Sequence, residues 1–201
     1  MDGSGARRSL LAVAVSLGVR RGRSAQPRVH RGPVCGAGDH VPLDAAGDLR
    51  LRAAYNNTRT KIVGSIATPP QLAGFESVLF DHIEQNRLEC AQPRDSLRLQ
   101  SVWQRSRVGV NLDVARYGEF CSFVTTNPAD DQTFSPKWLT NVEAAYRTSR
   151  YLLAAGALNL FNVFPDRNST VNSFNGIQTF PSQSPFGMNG RGLYARIGYS
   201  F

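Results

Sequence analysis

The chain has 201 residues, 41% of them hydrophobic, and a formal net charge of +8. That is room for one domain or one large sheet; no run approaches the ~20 apolar residues of a membrane-spanning helix, although a membrane barrel strand needs only about 9–11 alternating residues. Residues 1–40 hold seven arginines against Asp2 and Asp39, a balance of +5, so the body carries only +3, and with no aromatic among those forty residues to stack on bases no nucleic-acid partner is expected.

Residues 1–41 read as an irregular or disordered leader, with an out-of-frame origin as one account of them. The apolar run Leu10–Val19 follows Arg7 and Arg8 as in a signal peptide, but Arg20, Arg21 and Arg23 stand where small cleavage-site residues belong. Residues 42–201 form the second region, and its texture is a period of two, the signature of strands. GDLRLRAAYNNTRTKI sets Leu49, Leu51, Ala53 and Tyr55 against Arg50, Arg52, Ala54 and Asn56. DSLRLQSVWQ sets Leu97, Leu99 and Trp103 against Arg98, Gln100 and Gln104. RVGVNLDVARYGE sets Val108, Val110, Leu112 and Val114 against Arg107, Gly109, Asn111 and Asp113. TNVEAAYRT follows with Val142, Ala144 and Tyr146 opposite Asn141, Glu143 and Arg147. RYLLAAGALNLFN is apolar throughout, and its faces stay ambiguous. The ending GLYARIGYSF places Leu193, Ala195, Ile197, Tyr199 and Phe201 on one face.

The pattern predicts an all-β chain of about six antiparallel strands, longer than the usual five or six residues. Arg105-Ser106 and Thr148-Ser149-Arg150 are tight turns, whereas 62–94, 118–136 and 162–190 are long and rich in Pro, Gly, Asn, Asp and Ser. Short turns at one end and long loops at the other fit a segment of an outer-membrane barrel. Aromatic residues near strand ends, Tyr55, Trp103, Tyr146, Tyr199 and Phe201, fit interfacial girdles. A soluble β-sandwich has the same alternation, with water on the polar face.

Four stretches resemble the C-terminal part of the barrel of a TonB-dependent outer-membrane receptor. They are NNTRTKI with TPPQLAG, HIEQNRLECAQPRDSLRLQSVW, GALNLFNVFPDRN and SPFGMNGRGLYARIGYSF, in the family's order. In the third, Leu158 and Asn162 depart from the family's usual NNLFD-x-YPD. The resemblance implies a bacterial outer-membrane location and a parent protein that imports a scarce ligand, such as a ferric siderophore, with no covalent chemistry. It implies outer-membrane lipid, the barrel assembly machinery and an unidentified small ligand as partners. The TonB energy-coupling complex would act through an N-terminal part of the parent that this chain does not show. It also implies that Ala195, Ile197, Tyr199 and Phe201 make up the terminal assembly signature.

A full receptor of this kind closes about 22 strands around a plug, so the segment is expected to be an incomplete barrel and inactive alone. Arg50, Arg52, Arg98, Arg107 and Arg196 would face the lumen, either steering an anionic ligand or, as the plainer role, pairing with carboxylates of the plug. Cys90 and Cys121 would lie in long outer loops, where a loop-to-loop disulfide is open to them. Two other functions remain: a small independent surface barrel or structural module, and a soluble basic β-sandwich that binds an anionic polymer. No catalytic residue, metal site or cofactor is expected. His30, His40 and His82 are isolated, no CxxC pair occurs, and Asp130-Asp131 reads as a solvated pair.

Overall fold

The computed structural model describes residues 28–31, 35–62, 69–75, 78 and 80–200. The chain runs β1 (Arg28–Arg31), β2 (Cys35–Pro42), β3 (Asp48–Lys61), α1 (His82–Glu89), β4 (Asp95–Arg105), β5 (Val108–Tyr117), β6 (Phe120–Ser122), β7 (Gln132–Phe134), β8 (Lys137–Arg147), β9 (Tyr151–Leu158) and β10 (Gly192–Tyr199). Eight strands form one antiparallel sheet in the order β1-β3-β4-β5-β8-β9-β10, with β2 also on β3, and β6 and β7 pair separately. The sheet is open: β10 pairs with β9 alone among the described residues. No described helix is long and apolar enough to cross a membrane, which says nothing of a barrel.

The six alternating segments become β3, β4, β5, β8, β9 and β10. The leader, expected to be irregular through residue 41, departs from that expectation: Arg28–Arg31 and Cys35–Pro42 are strands laid on β3. CGAGDHVP shows no apolar alternation because its pairing uses main-chain groups, which every residue but proline supplies in full. The signal-like run Leu10–Val19 and the terminal Phe201 lie outside the described residues.

The register resolves the faces. Leu99 stands opposite Ala53 and Val114, and Val142 stands opposite Leu112 and Ala157. In β9, whose sequence left its faces open, Tyr151, Leu153, Ala155 and Ala157 join this apolar face, while Leu152, Ala154, Gly156 and Leu158 take the other. From Leu49 to Tyr199 the apolar face carries charge only at strand ends, among them Arg59, Lys61, Arg105 and Arg116. Its large side chains are exposed: Leu51, Leu99, Leu112, Leu153 and Ile197 all lie open, Ile197 at 76%. A sandwich would cover that face with a second sheet; no described residues supply one.

Turns occupy one end. Leu43–Gly47 joins β2 to β3 with Gly47 at φ 97°, where a Cβ would stand 2.3 Å from Gln104 O. Only glycine fits that approach. Ser106, at φ 50°, turns β4 into β5. Thr148 closes the β8–β9 turn, its hydroxyl accepting the Tyr151 N–H at 2.9 Å. Trp103, Tyr146, Tyr151 and Tyr199 lie on the apolar face near this end, with Tyr151 and Tyr199 ring centroids 5.1 Å apart. Tyr55 and Trp138 lie near the other end. Tyr146 and Trp138 are eight positions apart on β8, about 26 Å at ~3.3 Å per residue. Counted inclusively those are nine residues, within the ~9–11 that a tilted barrel strand needs to cross a bilayer.

At the loop end the chain builds a small cap with its own core. α1 starts on Asp81, whose carboxylate accepts the Glu84 N–H at 2.9 Å, the logic of an N-cap. Asn86 of α1 and Ala91, Phe120, Cys121, Ser122 and Phe134 are buried in the cap. The rings of Phe120 and Phe134 stack with centroids 4.8 Å apart.

Candidate functional site

The polar face of the sheet brings together four of the five expected lumen arginines. Arg52 stands opposite Gln100, which stands opposite Asp113 and, one strand on, Asn141. Arg50 stands opposite Val102, on the row that continues through Asn111, Glu143, Gly156 and Tyr194. These two rows line a concavity of about 430 Å³. Arg107 sits in the β4–β5 turn ahead of Val108, where its carbonyl accepts the Arg147 N–H at 2.8 Å, and it borders a second hollow with Asn111, Glu143 and Arg196.

The wall neutralises part of its own charge. Asp113 Oδ2 accepts from Arg98 Nε at 2.8 Å and Gln100 Nε2 at 2.7 Å. Glu143 Oε2 accepts from the Tyr194 hydroxyl at 2.9 Å and Arg196 Nη2 at 3.1 Å, and its Oε1 accepts from Asn111 Nδ2 at 3.3 Å. Tyr194 reaches Glu143 from two strands away because Gly156 between them has no side chain. A Cβ there would stand 2.6 Å from Tyr194 Cζ and 2.7 Å from Val142 O. Alternation found these carboxylates on the polar face but not their partners. The hub at Glu143 depends on pairing between strands distant in sequence.

Ala195, Ile197 and Tyr199 follow one another on the apolar face of β10, whose second edge meets no described strand. The two departures in the NLFN segment also find places. Leu158 ends β9 on the polar face. Asn162 lies at φ 57°, a conformation asparagine tolerates, and its Oδ1 accepts the Arg191 N–H at 2.9 Å. An aspartate oxygen would accept that bond equally. Asn159, at φ 50°, is a knot missed in the sequence: its side chain bonds Val163 N at 2.8 Å and Val163 O at 2.7 Å.

Cys90 and Cys121 are joined in the cap, with Cα atoms 5.5 Å apart, inside the span a disulfide bridges. Cys121 N–H also donates to Cys90 O at 3.0 Å, so the C-terminus of α1 is held to β6 twice. Cys35 is exposed and unbonded. His82, isolated in the sequence, has partners in the fold. It opens α1, packs flat on Phe123 with centroids 4.6 Å apart, and sets Nε2 2.9 Å from the Asp131 carboxylate. Asp130 likewise accepts the Thr125 hydroxyl at 2.8 Å. Loop 159–191 is tied across the cap: Gln132 Oε1 accepts the Ser169 N–H at 2.8 Å, and Asp166 accepts from Ser135 and Lys137, each at 2.6 Å. Burial pushes the Asp166 carboxyl up, but the bonds from Lys137 and Ser135 outweigh it and hold the group below its usual 3.8. No cluster of three or more His, Cys, Asp or Glu suited to a metal occurs among the described residues.

Comparison with known proteins gives a fold likeness. No protein-family model and no curated protein matches the sequence. Among solved structures, the chain is similar to a mutant of the ferric enterobactin receptor PfeA from Pseudomonas aeruginosa, with 16% identity, TM-score 0.51, and coverage of 84% of this chain and 22% of that one. It is similar to the pyoverdine outer membrane receptor FpvA from Pseudomonas aeruginosa PAO1 bound to pyoverdine, at 14% identity, TM-score 0.52, and 84% and 21% coverage. It is also similar to a chain of the FpvAI–pyocin S2 complex, at 12% identity, TM-score 0.53, and 86% and 19% coverage. The chain thus has the fold of part of a siderophore-receptor barrel and spans about a fifth of the length of the receptors it matches.

Proposed function

We propose that this chain is the C-terminal barrel portion of a TonB-dependent receptor of the bacterial outer membrane. The parent protein imports a scarce ligand, such as a ferric siderophore, and the portion described here does not transport alone. The observation that carries the reading is the apolar face: exposed, free of charge between its ends, and bounded by aromatic side chains about 26 Å apart. Backed by a charged polar face, it suits lipid on one side and a lumen on the other. Sheet edges left open in lipid cost several kcal/mol per unsatisfied group, so further strands must complete the wall. The protein's role is transport rather than catalysis.

Ala195, Ile197, Tyr199 and Phe201 are assigned to recognition by the barrel assembly machinery, through the apolar face of β10 and its extension. The test is a chimaera in which residues 49–201 replace the matching terminal strands of a siderophore receptor. We expect it to reach the outer membrane as a heat-modifiable barrel, whereas the chain expressed alone gives no ligand-dependent uptake. A chain that stays monomeric in water without detergent would overturn the reading.

A further inference from the structure

We propose that the end of β3 and the connection after it form a lipid-surface anchor: Arg59 and Lys61 pair with phosphate-bearing lipid headgroups, and Leu72, Phe75 and Val78 enter the acyl boundary. The proposal rests on the reading of the apolar face as the lipid-facing one. β3 has 14 residues and overruns the apolar band at the loop end. Its outward stripe passes from Leu51 through Tyr55 and Asn57 to Arg59 and Lys61. Asn57 Nδ2 donates to the Tyr55 hydroxyl at 3.1 Å, on that same face. Arg59 lies four positions beyond Tyr55, about 13 Å along the strand, past the aromatic ring that marks the hydrocarbon edge. Both cations are exposed, and among the described residues neither forms an ion pair. Glu89 Oε1, beside the end of β3, accepts the Ile62 N–H at 2.7 Å.

The connection that follows carries an apolar stripe. The Phe75 N–H donates to Leu72 O at 3.1 Å and the Val78 N–H to Phe75 O at 3.0 Å, and residues three apart in such turns share one side. All three side chains are exposed, Phe75 at 57% and Val78 at 73%, whereas the cap buries Phe120 and Phe134. Glu76 is the one charge between Pro69 and Val78. Apolar groups exposed in a cluster mark a contact surface. Cations on the lipid side and an apolar stripe in the same connection are the chemistry of a segment lying in the membrane interface. Apolar burial gives it depth, and anionic headgroups attract it. A protein docked above the loops would use the stripe but not two cations on the flank of the sheet.

The experiment uses the full chain in lipid nanodiscs, in a Cys35→Ser background, with strand content checked by far-ultraviolet circular dichroism. A nitroxide on Val78→Cys reports collisions with oxygen, which gathers in lipid, and with a nickel chelate, which stays in water. Discs containing phosphatidylglycerol are expected to raise the lipid-immersed population about tenfold over phosphatidylcholine discs, from two cations partly screened by salt. Arg59→Gln/Lys61→Gln erases that difference; should it disturb β3, Arg59→Lys keeps the charge and retains the difference. Leu72→Ser/Phe75→Ser returns the label to water in both discs. A Val78→Cys label that stays in water overturns the anchor, as does an unchanged lipid difference in the glutamine variant. Equal immersion of a label on Asn175→Cys, an exposed cap position, would mean that the nitroxide inserts itself and also overturns it. Inorganic phosphate that cancels the phosphatidylglycerol effect at constant ionic strength overturns the headgroup in favour of a free anion. A label on Leu112→Cys separates the two readings: immersed, it leaves the barrel standing whatever the anchor does; in water, it removes the barrel as well.

Discussion

Leu112 and Phe134 are both large apolar side chains on strands, yet Leu112 is 38% exposed in the middle of the sheet and Phe134 is fully buried, at 0%, in the loop cap. The eight-stranded sheet gathers most of its aliphatic side chains on one exposed face and keeps Asp113 and Glu143 on the other, which lines the concavity. The cap does the reverse: Phe120 and Phe134 are inside, and polar contacts tie its surface loops. The same amino-acid chemistry is sorted in two opposite ways, with apolar side chains inside the cap and outside the sheet; under the barrel proposed above, the cap faces water and the apolar band faces lipid.

Four changes break or sharpen this contrast. The largest effect is expected from Phe134→Ala, at about 3–5 kcal/mol for loss of a buried ring. Hydrogen exchange should quicken in 118–136 while β4 and β5 keep their protection; uniform loss would mean that cap and sheet form one cooperative unit. Leu112→Arg comes next. Near the middle of a bilayer it costs about 2–4 kcal/mol, whereas an exposed site in water tolerates it within about 0.5 kcal/mol. Equal stability of the two proteins in lipid would remove the lipid face.

Cys90→Ser/Cys121→Ser is expected to cost the cap about 2–4 kcal/mol without moving the sheet. In the native protein, thiol labelling before reduction should mark Cys35 alone; labelling of all three cysteines would dissolve the latch. The smallest effect is from pH. The Asp166 carboxyl is lowered from 3.8 in the folded cap, so its contribution is complete above that value and disappears as pH falls through the lower folded value. Because the pair with Lys137 is partly solvated, the loss is of order 0.5 kcal/mol. Asp166→Asn should flatten this acid dependence in the protease resistance of loop 159–191, and an unchanged profile would assign the dependence to another group.

The sheet was legible and the cap was not, for a physical reason visible in particular residues. Leu49, Leu51 and Ala53 alternate with Arg50 and Arg52 within a few positions, so the period of a strand is written locally. His82 and Asp131 are 49 positions apart, and Gln132 and Ser169 are 37 apart; nothing local marks them as partners. Asn159 ended β9 earlier than its apolar composition suggested, because it takes a left-handed conformation directly after Leu158. Cys35–Pro42 pairs through its main chain and leaves no pattern in its side chains.

By itself, the sequence determined the six long strands, the two faces of all but β9, the turn end and the loop end, because a pleated strand exposes alternate residues whatever surrounds it. Only the tertiary structure decided which charges remain. Arg98 and Arg196 meet carboxylates from β5 and β8, while Arg50 and Arg52 meet none among the described residues. Such pairing depends on register between strands and on Gly156 leaving room for Tyr194 to reach Glu143. Those are relations across space that no single stretch of chain contains.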